Sequence, residues 1–271
     1  MPRVSVFALI SVLSWPPFAG YGAALPAQLL GRWQVAEVQV NRASERRLDY
    51  QYNDPRLRWR IFDFSAAQLI DDTPEGYPCM VPQVTETRMQ LGKLISGSLA
   101  GVEERGDATP EDYGLATKPD TVVDVVSIHC GSGPWQGGLG LVNTGVQGSW
   151  LYIDADGSMV LRWYGETLLI LRHLPEDAKP QASFDCARAA TPTERTICSS
   201  LQLAAFDRSV ASAYRDAYDQ FTSDRASVDP LARLQRRWLR QRDACGADAT
   251  CLLKSMKRQI DALDNLPEVA E

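Results

Sequence analysis

Six cysteines constrain this chain more than any other feature, because of where they fall. None precedes Cys79. Cys79 and Cys130 lie in the first half, and Cys186, Cys198, Cys245 and Cys251 lie in the last third. An even number in two groups lets each part of the chain close its own bridges, provided that it folds where thiols oxidise. The N-terminal stretch "MPRVSVFALISVLSWPPFAGYGAA" points to such a compartment. Arg3 precedes an apolar run from Val4 to Trp15, followed by a Pro/Gly break and the small residues Gly22, Ala23 and Ala24. This is the layout of a secretory leader over residues 1–24, and its apolar run is too short to cross a bilayer of ~30 Å as a helix. With no cysteine near the expected cleavage point there is no site for a lipid anchor. The expectation is a soluble periplasmic or secreted protein with no membrane anchor.

Residues 25–174 read as a β-rich domain. "GRWQVAEVQV" and "RLRWRIFDF" alternate apolar and polar residues, the second placing Leu57, Trp59, Ile61 and Asp63 on one face. "TETRMQLGKL", "DTVVDVVSI", "GSWLYIDADGSMVLRWY" and "ETLLILRHL" continue the pattern. Asp156-Gly157 between two such runs marks a hairpin turn. Short strands at this spacing predict an antiparallel barrel or sandwich. The segment 175–183, "PEDAKPQAS" with its two prolines, reads as a linker.

Residues 184–265 change to helical texture, ahead of a flexible tail at 266–271. Thr191-Pro192-Thr193-Glu194 is a capping box with Pro at the first helical position. Leu203, Phe206, Val210, Ala213, Tyr214, Ala217 and Phe221 then recur at three- and four-residue steps. Leu231, Leu234, Trp238 and Cys245 form a second stripe, and Leu253, Met256, Ile260 and Leu263 a third. The fold class is therefore α+β in two domains. A helical unit this small has a marginal core, and a disulfide adds roughly 2–4 kcal/mol. Its four cysteines gather at one end of the bundle. Three pairings are open to them.

Two resemblances follow from these residues. The opening "LLGRWQV" resembles the Gly-x-Trp start of lipocalin-like barrels, in which the Trp closes the base of the barrel. "FDCARAATPTERTIC", "LAAFDRSVASAYRDA", "QRRWLRQRDAC" and "CLLKSMKRQIDAL" together resemble the LprI-like lysozyme-inhibitor domain. The matching positions are Cys186, Thr191, Glu194, Ile197, Cys198, Phe206, Asp207, Tyr214, Gln235, Arg236, Trp238, Leu239, Arg242, Cys245, Cys251 and Leu252. Phe206 departs from the Leu that is commoner there. The resemblance covers the helical domain alone. It implies an exported bacterial helical fold, with Glu194, Asp207, Tyr214, Gln235, Trp238 and Arg242 as structural positions.

For chemistry, the stretch "IHCGSGPWQGGLG" (128–140) stands out. A Cys79–Cys130 bridge would pin it beside "YPCMVP", and a loop ordered in advance is what an inhibitor needs. His129 and Trp135 are the candidate inhibitory residues, the imidazole being able to bond to a glycosidase's two carboxylates. The rival reading packs Trp135 on the barrel. The glycines do not match a phosphate loop, "DADGS" reads as a turn rather than a calcium loop, and two histidines give no zinc spacing. No cofactor, metal or catalytic motif is expected, so the chain reads as a non-enzyme. Asp71, Asp72, Glu103 and Glu104 read as solvated surface. Arg233, Arg236, Arg237, Arg240 and Arg242 read as an ion-pair seam with Asp207, Asp216 and Asp219 rather than as a nucleic-acid stripe.

A formal net charge of −6 argues against nucleic-acid or anionic-membrane binding and suits a cationic protein partner. The resulting expectation is a binding protein that blocks lysozyme or another peptidoglycan-cleaving enzyme by occluding its cleft. An immunity protein against a secreted bacterial toxin is one alternative. A carrier of a small apolar ligand inside the β domain is another.

Overall fold

The computed structural model describes residues 23–44, 48–99, 108–136, 139, 148–223 and 228–266. Most of the expected leader (residues 1–22), Glu103 and Glu104, part of the 128–140 stretch and most of the tail lie outside them. Nine strands form in chain order: β1 (Ala23–Ala24), β2 (Gly31–Gln39), β3 (Ile61–Phe64), β4 (Gln68–Asp71), β5 (Cys79–Gln90), β6 (Val122–Ser132), β7 (Trp150–Ile153), β8 (Met159–Trp163) and β9 (Thr167–Leu174). From β2 to β9 each strand pairs antiparallel with the next, and β9 returns to pair with β2. The result is a closed eight-stranded up-and-down barrel, which removes most of the open edges. β1 lies outside the ring, pairing Ala23 with Val84 and Ala24 with Gln83.

Alternation sets what enters the barrel, and two irregularities adjust it. In β2, Trp33 and Val35 face inward, then the register shifts between Val35 and Glu37, so that Val38 is buried in place of Glu37. The second irregularity corrects the expected face of the next strand. Only Ile61–Phe64 is strand, and the inward residues are Phe62 and Phe64, not the Leu57–Trp59–Ile61–Asp63 face. Trp59 takes φ 66°, the left-handed region, and breaks the alternation. Trp33, Phe62, Phe64, Trp135 and Trp163 share one buried core with the inward aliphatic residues. The Trp33 indole donates to the Leu29 carbonyl at 2.9 Å, tying a single helical turn, Ala27–Leu29, to the barrel.

A helix that the alternating pattern missed, α1 (Leu91–Leu99), follows β5 directly. Leu91, Leu94, Ile95 and Leu99 recur at helical steps and pack with Val123, Val125, Trp150, Tyr152, Val160 and Leu168, a second core outside the barrel. The expected strand "TETRMQLGKL" thus ends at Gln90. The Asp156-Gly157 turn forms as read, with Gly157 at φ 80°.

Four helices make the C-terminal part: α2 (Pro192–Cys198), α3 (Leu201–Ser223), α4 (Asp229–Asp243) and α5 (Ala249–Asp264). The capping box is present. Thr191 Oγ1 accepts from the Glu194 amide at 3.1 Å, and Glu194 Oε2 accepts from the Thr191 amide at 2.9 Å. Backbone donors from Thr191 and Ala190 hold the Glu194 carboxyl below the ordinary range. The three stripes meet in one core, where Leu252, rather than Leu253, is fully buried with Met256. The bridges are local, Cys186–Cys198 and Cys245–Cys251, and the two loops meet where Thr193 Oγ1 donates to the Gly246 carbonyl at 3.2 Å.

The barrel and the helices join through the segment between β2 and β3. Arg60 is fully buried there. Its Nη2 donates to Ser209 Oγ of α3 at 2.7 Å, and its guanidinium stacks on Phe206. Burial pushes its pKa down to about 10, partly offset by Asp72, so it stays charged at neutral pH. Beside it the guanidiniums of Arg58 and Arg208 both lie over the Trp59 ring, at 4.8 and 4.4 Å from its centroid. Gln202 of α3 donates to Asp72, and Arg56 pairs with Asp264 of α5 at 2.8 Å. A buried charge with one hydrogen bond costs stability, while an unfavourably paired one costs more. Arg60→Met should therefore stay within about 1 kcal/mol of the parent in urea unfolding, whereas Arg60→Glu, facing Asp72, should lose about 3–5 kcal/mol. Equal losses would show that volume, not charge, governs this seam.

Candidate functional site

The surface most unlike ordinary solvated protein lies at the Cys79–Cys130 bridge, whose Cα atoms are 5.1 Å apart. Met80 pairs with Ser132 and Pro82 with Cys130, so Val81 and Gly131 stand opposite each other with the register unbroken. Val81 itself takes φ 50°. A β-branched residue in the left-handed region is strained and persists only where its surroundings hold it. Here the Val81 amide donates to the Ala67 carbonyl at 2.8 Å, and the next strand leaves room by placing Gly131 opposite, where a Cβ would crowd Val81 at 3.2 Å. Gly133, at φ 101°, admits no side chain, because a Cβ would overlap the Pro78 carbonyl.

Apolar side chains face outward at this point. Val81 is 58% exposed and Met80 37%. Ile70, 41% exposed, stands diagonally across from Met80, since Gln68 is Met80's direct partner. Tyr77, 52% exposed, lies two residues ahead of the bridge. Most other large apolar side chains in the barrel are buried, so this ridge is a marked exception.

Two carboxylates, Asp71 and Glu75, lie behind the ridge, and the contacts of Asp71 and Asp72 correct the reading of those two as solvated surface. Asp71 Oδ2 accepts the Trp135 indole N–H at 3.2 Å, and its other oxygen accepts from Thr73. Glu75 accepts the Trp163 indole N–H at 3.2 Å and the Tyr50 hydroxyl. Burial raises the pKa of both, and the hydrogen bonds only partly oppose it. Asp72 accepts from the Ile61 amide at 2.6 Å and from Gln202. All three carboxylates hold the β4–β5 connection in place.

The expected inhibitory residues are placed differently from the expectation. Trp135 is buried in the barrel core, so it offers no contact to a partner. His129 is a strand residue of β6, half-buried, with Nε2 3.2 Å from Thr85 Oγ1. The pinned apolar element is on the other strand of the bridge, at Met80 and Val81. Its sequence signal was the apolar pair "MV" held between Cys79 and Pro82, with Pro78 just before.

Of the six motif positions of the helical part, Glu194 caps α2 and the other five pack or bond within the bundle. Asp207 is buried, accepts the Ser183 amide at 2.7 Å and faces Arg242 at 3.7 Å. Arg242 also pairs with Asp243 at 2.8 Å and lies over the Trp238 ring. The Trp238 indole donates to Ser255 Oγ at 3.1 Å, and Gln235 accepts from Gln259 at 3.0 Å. Tyr214 packs on the helical core. The expected ion-pair seam shrinks to the single interhelical contact Arg242–Asp207; no ion pair joins Arg233, Arg236, Arg237 or Arg240 to a carboxylate among the described residues.

A cleft of about 250 Å³ lies between the two parts, lined by Arg56, Asp72, Phe206, Lys257 and Asp261 among others. Its cations and carboxylates balance, so it favours no one charge class of ligand. Among the described residues no group of three or more His, Cys, Asp or Glu is arranged to hold a metal ion. Comparison with protein-family models, with curated proteins and with solved structures finds no match for this chain.

Two outcomes are expected from this geometry. Gly133→Ala should cost about 1–3 kcal/mol or more through strain at the bridge, read as a lower urea midpoint. The second concerns pH. Asp71 and Glu75 bind protons more tightly folded than unfolded, so their ionisation penalises the fold as pH rises through their raised values. Stability from these two groups should therefore increase on moving from neutral pH down into the carboxylate range. The Asp71→Asn, Glu75→Gln double variant should flatten that portion of the profile, and an unchanged profile refutes the assignment.

Proposed function

We propose that this chain is an exported binding protein that blocks a peptidoglycan-cleaving hydrolase such as a lysozyme, with the Met80–Val81 ridge as its contact. The observation that carries the reading is that ridge: exposed apolar side chains at a strained backbone position beside a disulfide. An element ordered before binding loses little entropy on association, and a rigid apolar anchor fits a concave cleft. Three disulfides suit an oxidising compartment, in keeping with a leader at residues 1–24. Resemblance of the helical part to LprI-like domains points toward lysozyme. The net charge of −6 suits a basic hydrolase.

A barrel filled by five large aromatic side chains favours a binding surface over a carrier of small apolar ligands. No helix among the described residues is long and apolar enough to cross a membrane.

The test is the rate of lysis of a cell-wall substrate by lysozyme in the presence of the exported protein. Stoichiometric inhibition is expected, reduced at least tenfold by Val81→Asp, which places a charge where a cleft would be desolvated (about 1.4 kcal/mol or more). An undiminished lytic rate at molar excess would end this reading.

A further inference from the structure

Helix α4 carries five arginines and no lysine. Arg242 turns toward Asp207 and the Trp238 ring. The other four, Arg233, Arg236, Arg237 and Arg240, are exposed, and no hydrogen bond or ion pair engages their guanidiniums among the described residues. At helical spacing they fall within an arc of about 100° and a length of about 10 Å. That arc is opposite the face of Leu231, Leu234 and Trp238, which packs on the helical core. The only carboxylates on α4 stand at its two ends, Asp229 and Asp243. Like charges at i and i+4 destabilise a helix. Neither neighbouring helix relieves this repulsion with a salt bridge, because the one interhelical pair uses Arg242.

We infer that the exposed arginine face of α4 is a docking surface for anionic phospholipid headgroups. A guanidinium is a planar fork that meets phosphate oxygens two at a time, which an ammonium does not. The stripe is straight, convex and free of apolar side chains. Such a face suits a flat array of phosphates better than the core of a protein interface, from which charged residues are depleted. Nucleic acid offers phosphates too, but three disulfides and the export reading place the chain away from it. The formal net charge of −6 conceals this patch, because the carboxylates that outweigh it lie elsewhere. The surface is peripheral and electrostatic: it needs no apolar insertion, orients the molecule, and leaves the Met80–Val81 ridge, on the barrel, free for its own partner.

The exported protein with its disulfides intact is sedimented with vesicles of phosphatidylcholine alone and of equal parts phosphatidylcholine and phosphatidylglycerol. Binding is expected to the second only, falling about fivefold for each arginine replaced along the series R233Q, R236Q, R237Q, R240Q, and vanishing in high salt. R88Q, at an exposed arginine of the barrel, should bind as the parent does. These exposed sites tolerate Gln, and single variants report even if the quadruple does not fold. The inference is overturned if no phosphatidylglycerol-dependent binding occurs, if the quadruple variant binds like the parent, if R88Q loses as much as the α4 variants, or if a DNA duplex binds more tightly than the vesicles. Free thiols in exported material would defeat the export reading separately, without bearing on the vesicle result.

Discussion

Trp59 and Arg60 hold the architecture together by doing two things at one point. The left-handed turn at Trp59 reverses the alternation, so that Phe62 and Phe64 fill the barrel while Arg60 points at α3. Such a conformation costs roughly 1–3 kcal/mol for a bulky residue. It is held from both sides. The Trp59 amide donates to the Val35 carbonyl at 2.9 Å, the Val35 amide donates to the Arg60 carbonyl at 3.0 Å, and the guanidiniums of Arg58 and Arg208 lie over the ring. A helical residue, Arg208, thus helps to stabilise a turn that sets the register of a barrel strand. The two parts are coupled through this turn, although each has a core of its own.

The bridges divide the labour. In the helical part, each closes a short local loop, of 12 and 6 residues in sequence separation, and each fastens a helix end where the small core cannot. The barrel bridge spans 51 residues and joins neighbouring strands of a unit that already has a large core. Its evident effect is local: it ties the two strands together beside the left-handed Val81, where apolar side chains face water. A bridge placed where the core least needs it is better explained by the surface that it shapes.

Charge behaves in the same way. The chain total describes an acidic protein, yet the helical part presents an uncompensated arginine face, while buried carboxylates such as Asp71 and Glu75 serve as acceptors for indole and hydroxyl groups. Net charge governs long-range encounter; the local arrangement governs what can settle on a given face. Two surfaces of opposite character, an apolar ridge on the barrel and a cationic stripe on α4, give the molecule two separate places to be held.

The sequence by itself determined the division into a β-rich and a helical part, the alternating strands, the capping box at Thr191–Glu194, the three helical stripes and the grouping of the cysteines. These are local patterns, written in spacing and turn chemistry. Helix α1 was legible in the same way, at Leu91, Leu94, Ile95 and Leu99, but the strand pattern running into it masked the change of period. Only tertiary structure decided the closure of β2 on β9, the bridge partners among the last four cysteines, the burial of Trp135 in place of its exposure, and the outward turn of Met80 and Val81. It also decided that four arginines of α4 pair with no carboxylate among the described residues. The reason is common to all of these: each depends on which distant segment arrives alongside, and a local irregularity, such as the register shift at Ala36 or the left-handed residues Trp59 and Val81, changes which side chains face the core.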